Sequence, residues 1–153
     1  MGQQQLLLLV LGAITVGLAV IVGIYAFSRN QTKANADAMV NVALRIAADV
    51  QTWSLKPGMV GGRKDAETLV HVTFDKIGIP NSGGVYFGLE GDFSLSTTLG
   101  SGCDTPVVPS QSTPLIYING TNANTGNNIC VAIAGSEAND IGTSTTYGGG
   151  IIP

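Results

Sequence analysis

The chain offers few groups with which to do chemistry. Cys103, Cys130 and His71 are its only thiols and its only imidazole in 153 residues. A zinc site draws on several Cys or His ligands, and a nucleophilic Ser or Cys needs a base beside it, so a single histidine leaves most such mechanisms without a partner. A packed or surface role for His71 is the expectation. Two small groups of oxygen ligands, Glu90, Asp92 and Asp104, and Glu137, Asn139 and Asp140, are of the type that calcium takes, but neither has the spacing of an EF-hand loop. No catalytic residue, metal or cofactor is therefore predicted, and the chain does not read as an enzyme.

The charge pattern excludes a further class. Only 7 Lys and Arg are present against 10 Asp and Glu, and no basic run is longer than Arg63-Lys64. A protein that neutralises a phosphate backbone needs more than that, so direct nucleic-acid binding is not expected. With 44% hydrophobic and 11% charged residues the chain is also unlike a disordered one.

The two cysteines carry a more specific message. They lie in a stretch rich in Gly, Ser, Thr and Asn that is typical of exported surfaces, where a disulfide would close a loop of 26 intervening residues. On the chain-entropy model such a bridge is worth about 3 kcal/mol. Two unpaired buried thiols are the alternative. Asn30-Gln31-Thr32 and Asn119-Gly120-Thr121 are glycosylation sequons. Asn119 is the better candidate acceptor, because it opens a polar loop, whereas Asn30 sits close to an apolar segment.

That apolar segment dominates the first third of the chain. Leu6 to Phe27 are 22 residues without a charge, and at about 1.5 Å per residue they match a hydrocarbon thickness of roughly 30 Å. A secretory signal peptide would need a basic start and a shorter apolar core; Met1 to Gln5 are uncharged, and Arg29 and Lys33 follow the segment. These two cations favour a cytoplasmic C-terminal side, while the cysteines favour export; two charges are the weaker topogenic signal.

Nothing breaks the helix after Phe27. Residues 28–53 hold neither Gly nor Pro and are rich in Ala, so the spacing predicts a single helix reaching about Thr52–Ser54. Met39, Val42, Ala43, Ile46, Val50 and Trp53 recur at three- and four-residue steps and mark the face that packs on the rest of the chain. A helix of about 50 residues is roughly 75 Å long, far more than a domain of about 100 residues can cover. Its first half must meet lipid or copies of itself.

Pro57-Gly58 and Gly61-Gly62 end the helix. Residues 66–77 then read as a short helix through Ala66, Val70, Phe74 and Ile77, capped near Asp65 and stopped by Gly78, with a strand as the alternative because Val70, Val72 and Phe74 alternate. Short β-type runs follow at Val85–Leu89, Asp92–Leu99, Leu115–Asn119 and Ile129–Ala134, which predicts an antiparallel sheet with the last two runs paired. The tail from Gly142 is expected to be loop or a short edge strand. The fold class is thus α+β: residues 1–54 a helix, apolar and then amphipathic, and 55–153 a head with an antiparallel sheet.

This layout resembles the type IV pilin superfamily. Gly2 followed by an uncharged apolar segment is similar to a prepilin peptidase site, which implies cleavage after Gly2 and a mature terminus at Gln3. The resemblance implies an inner-membrane anchor that later becomes the core of an extracellular filament, with itself, the membrane, the prepilin peptidase and an assembly machinery as partners. Two features depart from the pattern. The basic leader is missing, and the glutamate at the fifth mature position is replaced by Gln5 or Leu7 according to register. Register must then be set otherwise: Gln3, Gln4 and Gln5 offer hydrogen bonds between subunits, and Gly12, Gly17 and Gly23 allow close helix approach. Polar residues at a headgroup boundary and glycines ordinary for membrane helices are the plainer reading. A filament subunit is the leading expectation, with a pseudopilin or minor pilin, or a single-pass membrane-anchored binding domain, as alternatives.

Overall fold

The computed structural model describes residues 2–62, 69–108 and 116–148. Helix α1 runs unbroken from Gly2 to Leu55. By compactness the chain divides into Met1–Ala34 and Asn35–Pro153, so the second half of α1 belongs to the same unit as the sheet. The helix stops where Pro57 lacks a backbone N–H, one residue beyond the expected end.

In the second unit α1 packs on a five-stranded antiparallel meander, β1 (Val85–Phe87), β2 (Asp92–Ser96), β3 (Ile116–Thr121), β4 (Asn128–Ile133) and β5 (Ile141–Thr146), in the order β1-β2-β3-β4-β5. Every neighbour in the sheet is also the neighbour in sequence, so no crossover is needed. Along β3 and β4 the side chains alternate. Ile116, Ile118, Ile129, Val131 and Ile133 enter one core with Met39, Ala43, Ile46, Ala47, Val50 and Trp53 of α1. Val42 is only half-buried at the margin of that core. The alanines on the helix face let the sheet come close. So does Gly120, where a Cβ would stand 2.8 Å from the Phe93 ring.

The segment before the sheet departs from the expected single helix. A 3₁₀ turn at Leu69–His71 is followed by the one-turn helix α2 (Phe74–Ile77), with Thr73 extended between them. Burying Leu69, Val72 and Phe74 together requires that break, because an unbroken helix would turn Leu69, Val72 and Phe74 to partly different sides. Ala66 and Asp65 lie outside the described residues. Gly78 does stop α2: its φ of 77° is left-handed and its N–H returns to Phe74 and Asp75 carbonyls. Phe74, Tyr86 and Phe93 then form an aromatic row, with centroids 6.5 and 6.1 Å apart, that joins α2 to β1 and β2.

Two strand expectations need correction, and a third is decided between its alternatives. β1 ends at Phe87 and β2 at Ser96, both shorter than their apolar runs. The tail is the edge strand and not the loop: Ile141–Thr146 pairs residue by residue with all of β4. Its Thr-rich composition supplies β-branched residues without an apolar alternation, which is why periodicity left both readings open. Finally, β3 and β4 extend inward to Thr121 and Asn128, so Asn119 sits inside a strand opposite Cys130 and not at the mouth of a loop.

Truncating Ile46, only 2% exposed among β-sheet side chains, is expected to cost about 2–5 kcal/mol, because the site cannot collapse around a missing side chain on a helix fixed from both ends. Chemical unfolding of Ile46→Ala followed by the fluorescence of Trp53, the single tryptophan, measures this.

Candidate functional site

The first unit has no core of its own. From Leu6 to Phe27 every large apolar side chain is between 51% and 71% exposed, and none of the most apolar window is buried. The helix is long and apolar enough to cross a membrane. Thr15, the one aliphatic hydroxyl in the stretch, donates to the Gly12 carbonyl at 2.9 Å and so needs no outside partner. At the polar end the Arg29 guanidinium lies 5.0 Å over the Tyr25 ring, an aromatic-cation pair suited to a water boundary.

Helical spacing sorts these residues further. At about 100° per residue, Gly12, Thr15, Ala19, Gly23 and Ala26 fall on one side, and Leu7, Ile14, Leu18, Ile21 and Tyr25 on another well removed from it. One face is therefore a shallow furrow and another a bulky ridge. Gly17 belongs to neither; with Ala13 it makes a second small patch about 140° from Gly12. A Cβ added at Gly12, Gly17 or Gly23 would meet nothing within 4 Å, so all three leave open space in the isolated chain. The three glycines named from sequence are thus not one surface. Thr15, Ala19 and Ala26 complete the furrow; only helical phasing of small residues, which hydropathy ignores, could have found them. Gln3, Gln4 and Gln5 are exposed and surround the helix start at successive 100° steps. Gly2 opens the helix and is exposed.

In the second unit the polar residues are occupied with structure. Asn35 donates to the Glu90 carbonyl at 3.1 Å and accepts from Thr125 Oγ1 at 3.0 Å and Asn127 Nδ2 at 3.2 Å. Asn122 donates to that same Glu90 carbonyl, and its Oδ1 accepts the N–H groups of Asn124 and Thr125. The β1–β2 and β3–β4 turns are thereby clamped to α1 at the residue where the second unit begins. From sequence, Asn35 falls within the long helix and Asn122 and Asn127 in a polar stretch, with no role given to any of them. An isolated Asn in an Ala-rich helix, as at Asn35, was the available signal.

Cys103 and Cys130 form a disulfide with Cα atoms 6.0 Å apart. Cys130 points to the side of β4 away from α1, where Val108, Ala132 and Ala134 make a small second cluster with Tyr117. The bridge thus holds residues 103–108 over the outer face of the sheet. Asn119 is engaged there too. Its Oδ1 accepts from Gly100 N at 2.9 Å and its Nδ2 donates to Thr98 O at 3.3 Å, which leaves the amide poorly presented for a glycan. Asn30 lies on helix α1, exposed. His71 is exposed, and its carbonyl accepts from Lys76 Nζ at 2.8 Å. Glu137 and Asp140 cap each other's backbone in a 3₁₀ turn. Among the described residues no three His, Cys, Asp or Glu side chains converge on a common point.

Compared with known proteins, the chain matches no family model, no curated sequence and no solved structure.

Two outcomes are expected from this geometry. Replacing both cysteines by Ser should lower stability by about 3 kcal/mol, read as a drop in the Trp53-monitored melting temperature. Asn35→Ala should cost about 1–3 kcal/mol by leaving buried partners unpaired, and hydrogen exchange should accelerate selectively in the turns at residues 88–91 and 122–127.

Proposed function

We propose that this chain is the structural subunit of an extracellular pilus-like filament that polymerises through the apolar first half of α1. The observation that carries the reading is the exposed segment Leu6–Phe27 on the same helix whose later residues are built into a folded head. So large an apolar surface needs a covering, and a head that folds on the far half of the helix leaves it free for other copies. The furrow and the ridge favour self-packing over a lone anchor. Lipid tails make no demand that small and bulky residues be segregated, whereas helices in close contact do. Because the two faces differ, a ridge entering the furrow of the next copy is a heterologous contact, and such contacts build an open helical polymer when their rotation does not close a ring.

In this reading the helix is held first in the inner membrane, with Tyr25 and Arg29 at its water boundary, and is then transferred to the filament core. Processing after Gly2 by a prepilin peptidase would leave Gln3 at the start. The ring of glutamine amides would then take the place of a carboxylate in aligning neighbouring helices: amides hydrogen-bond to one another as donor and acceptor, without the desolvation cost of a buried charge. Residues 35–148 would form the outer surface, stapled by the Cys103–Cys130 bridge.

Shearing cells that make the protein and imaging the supernatant by electron microscopy tests the reading. Thin filaments containing this chain are expected from the wild type. Gly12→Leu, which fills the furrow, should abolish them while leaving the protein in the membrane fraction at its normal level. Membrane retention of the wild type with no filaments, or filaments unaffected by Gly12→Leu, would refute polymerisation through this face.

A further inference from the structure

Two exposed apolar tips stand at opposite ends of the second unit. At the end where α1 stops, Met59 and Val60 ride on the turn Pro57–Gly62, fully and 73% exposed, with Leu55 beside them at 69%. At the end where the unit begins, Phe87 and Leu89 flank the β1–β2 turn, at 62% and 100%. Twenty helical steps from Asn35 to Leu55 separate the two ends by about 30 Å.

A single exposed Leu or Met on a surface is ordinary. These are unusual in being held still. The Val60 and Gly62 N–H groups both return to the Pro57 carbonyl, at 3.0 and 3.2 Å, and Trp53 Nε1 donates to Gly61 O at 3.1 Å, tying the turn to the helix core. At the other tip Gly88 N donates to Gly91 O at 3.0 Å, and the Glu90 carbonyl is gripped by both Asn35 and Asn122. Each tip is thus an apolar group on a rigid support, which loses little entropy when it docks.

Their charges are complementary. Lys56 adjoins the first tip, and Lys76 lies 5.3 Å over the Trp53 ring beneath it. Of the described acidic side chains on that half, Asp75 accepts from Asn81 at 2.7 Å and Glu137 and Asp140 cap each other's turn, while Asp49 lies six residues back along the helix from Leu55. At the second tip stand Glu90 and Asp92, with Asp37 nearby on the helix, while the described cations of this unit, Arg45, Lys56 and Lys76, all lie farther along. Lys56, Glu90 and Asp92 form no ion pair with any described residue.

We propose that the heads of successive copies stack end to end, the Met59–Val60 tip of one seated against the Phe87–Leu89 tip of the next, with Lys56 facing Glu90 and Asp92 across the rim. The occupant of each tip is a second copy of this chain. An apolar centre with an opposed charged rim is the ordinary anatomy of such a contact, and the charges fix which end meets which. The inference rests on the filament reading and adds a contact that the helices do not provide.

Full-length protein carrying both Met59→Cys and Leu89→Cys, oxidised on cells, tests it. The native cysteines are already paired and do not contribute. A ladder of trimers and longer multimers is expected, with each single variant giving none, and with Val107→Cys plus Leu89→Cys, a pair that places one thiol on the outer face of the sheet, giving none either. Lys56→Glu should lower the ladder about two- to fivefold, the range of an exposed ion pair, and Lys56→Glu with Glu90→Lys should restore it. No ladder, dimers from one single variant alone, or a ladder indifferent to Lys56→Glu would overturn end-to-end stacking. If wild-type filaments are still sheared from the cells in that case, the polymer reading stands and only the head contact falls; if they are absent as well, both fall.

Discussion

One continuous helix has to satisfy two solvents, and the rest of the molecule follows from that. Between Leu6 and Phe27 it carries no charge and none of its large apolar side chains is buried; between Asn35 and Leu55 it is the central strut of a folded head. The change in character occurs within one helix, because neither Gly nor Pro interrupts residues 28–53. The sheet can cover only the second half. A five-stranded meander of strands three to six residues long offers one face wide enough for about five helical turns and no more.

Holding the helix at the correct point is then a matter of specificity as much as of stability. Apolar packing between Met39 and Trp53 would tolerate sliding by a turn, since apolar residues recur at similar spacing along α1. The hydrogen bonds of Asn35 to Glu90, Thr125 and Asn127 do not tolerate it: a shift of one turn would leave a buried amide network unpaired. At the other end Trp53 Nε1 and Gly61 O give a second fixed point, and Gln51 donates to the Gly135 and Glu137 carbonyls close by. Polar contacts at both ends with an apolar centre make the register of the strut unique.

How much of this could be read from the residues depends on which interaction governs each part. The long helix, its stripe and the β3–β4 pairing follow from local periodicity, and those stand where the sequence put them. The segment 69–77 does not, because there the tertiary demand to bury Leu69, Val72 and Phe74 overrides a helical spacing that four residues alone suggested. β5 was left open between loop and edge strand, since its stabilising partners are across the ladder in β4 and its own side chains are mostly Thr and Ser. Asn119 misled for a related reason: a Gly and two polar residues after an apolar run look like a turn, yet the strand continues through Gly120, where the absence of a side chain makes room for Phe93. In the apolar half, hydropathy marks the whole segment alike, and the furrow through Gly12, Ala19 and Gly23 emerges only when side-chain size is placed on the helix.

In the proposed filament, the absence of any Asp or Glu before Asp37 would bear on how copies align. Apolar helix contacts are weakly directional, and a furrow made of small residues at several levels permits more than one axial offset. A buried carboxylate opposite a neighbour's amino group would choose among them; Gln3, Gln4 and Gln5, all round the helix, would choose less sharply because an amide finds a partner in several registers. Register must then be supplied from a different place along the molecule. Two rigid tips about 30 Å apart, one flanked by Lys56 and the other by Glu90 and Asp92, make an axial spacer with a defined polarity, and a mismatch of half a head would expose the apolar tips and place like charges together. In the proposed filament the division of labour would therefore be reversed relative to a bundle aligned from within: the helices would supply adhesion, and the heads the offset at which they adhere.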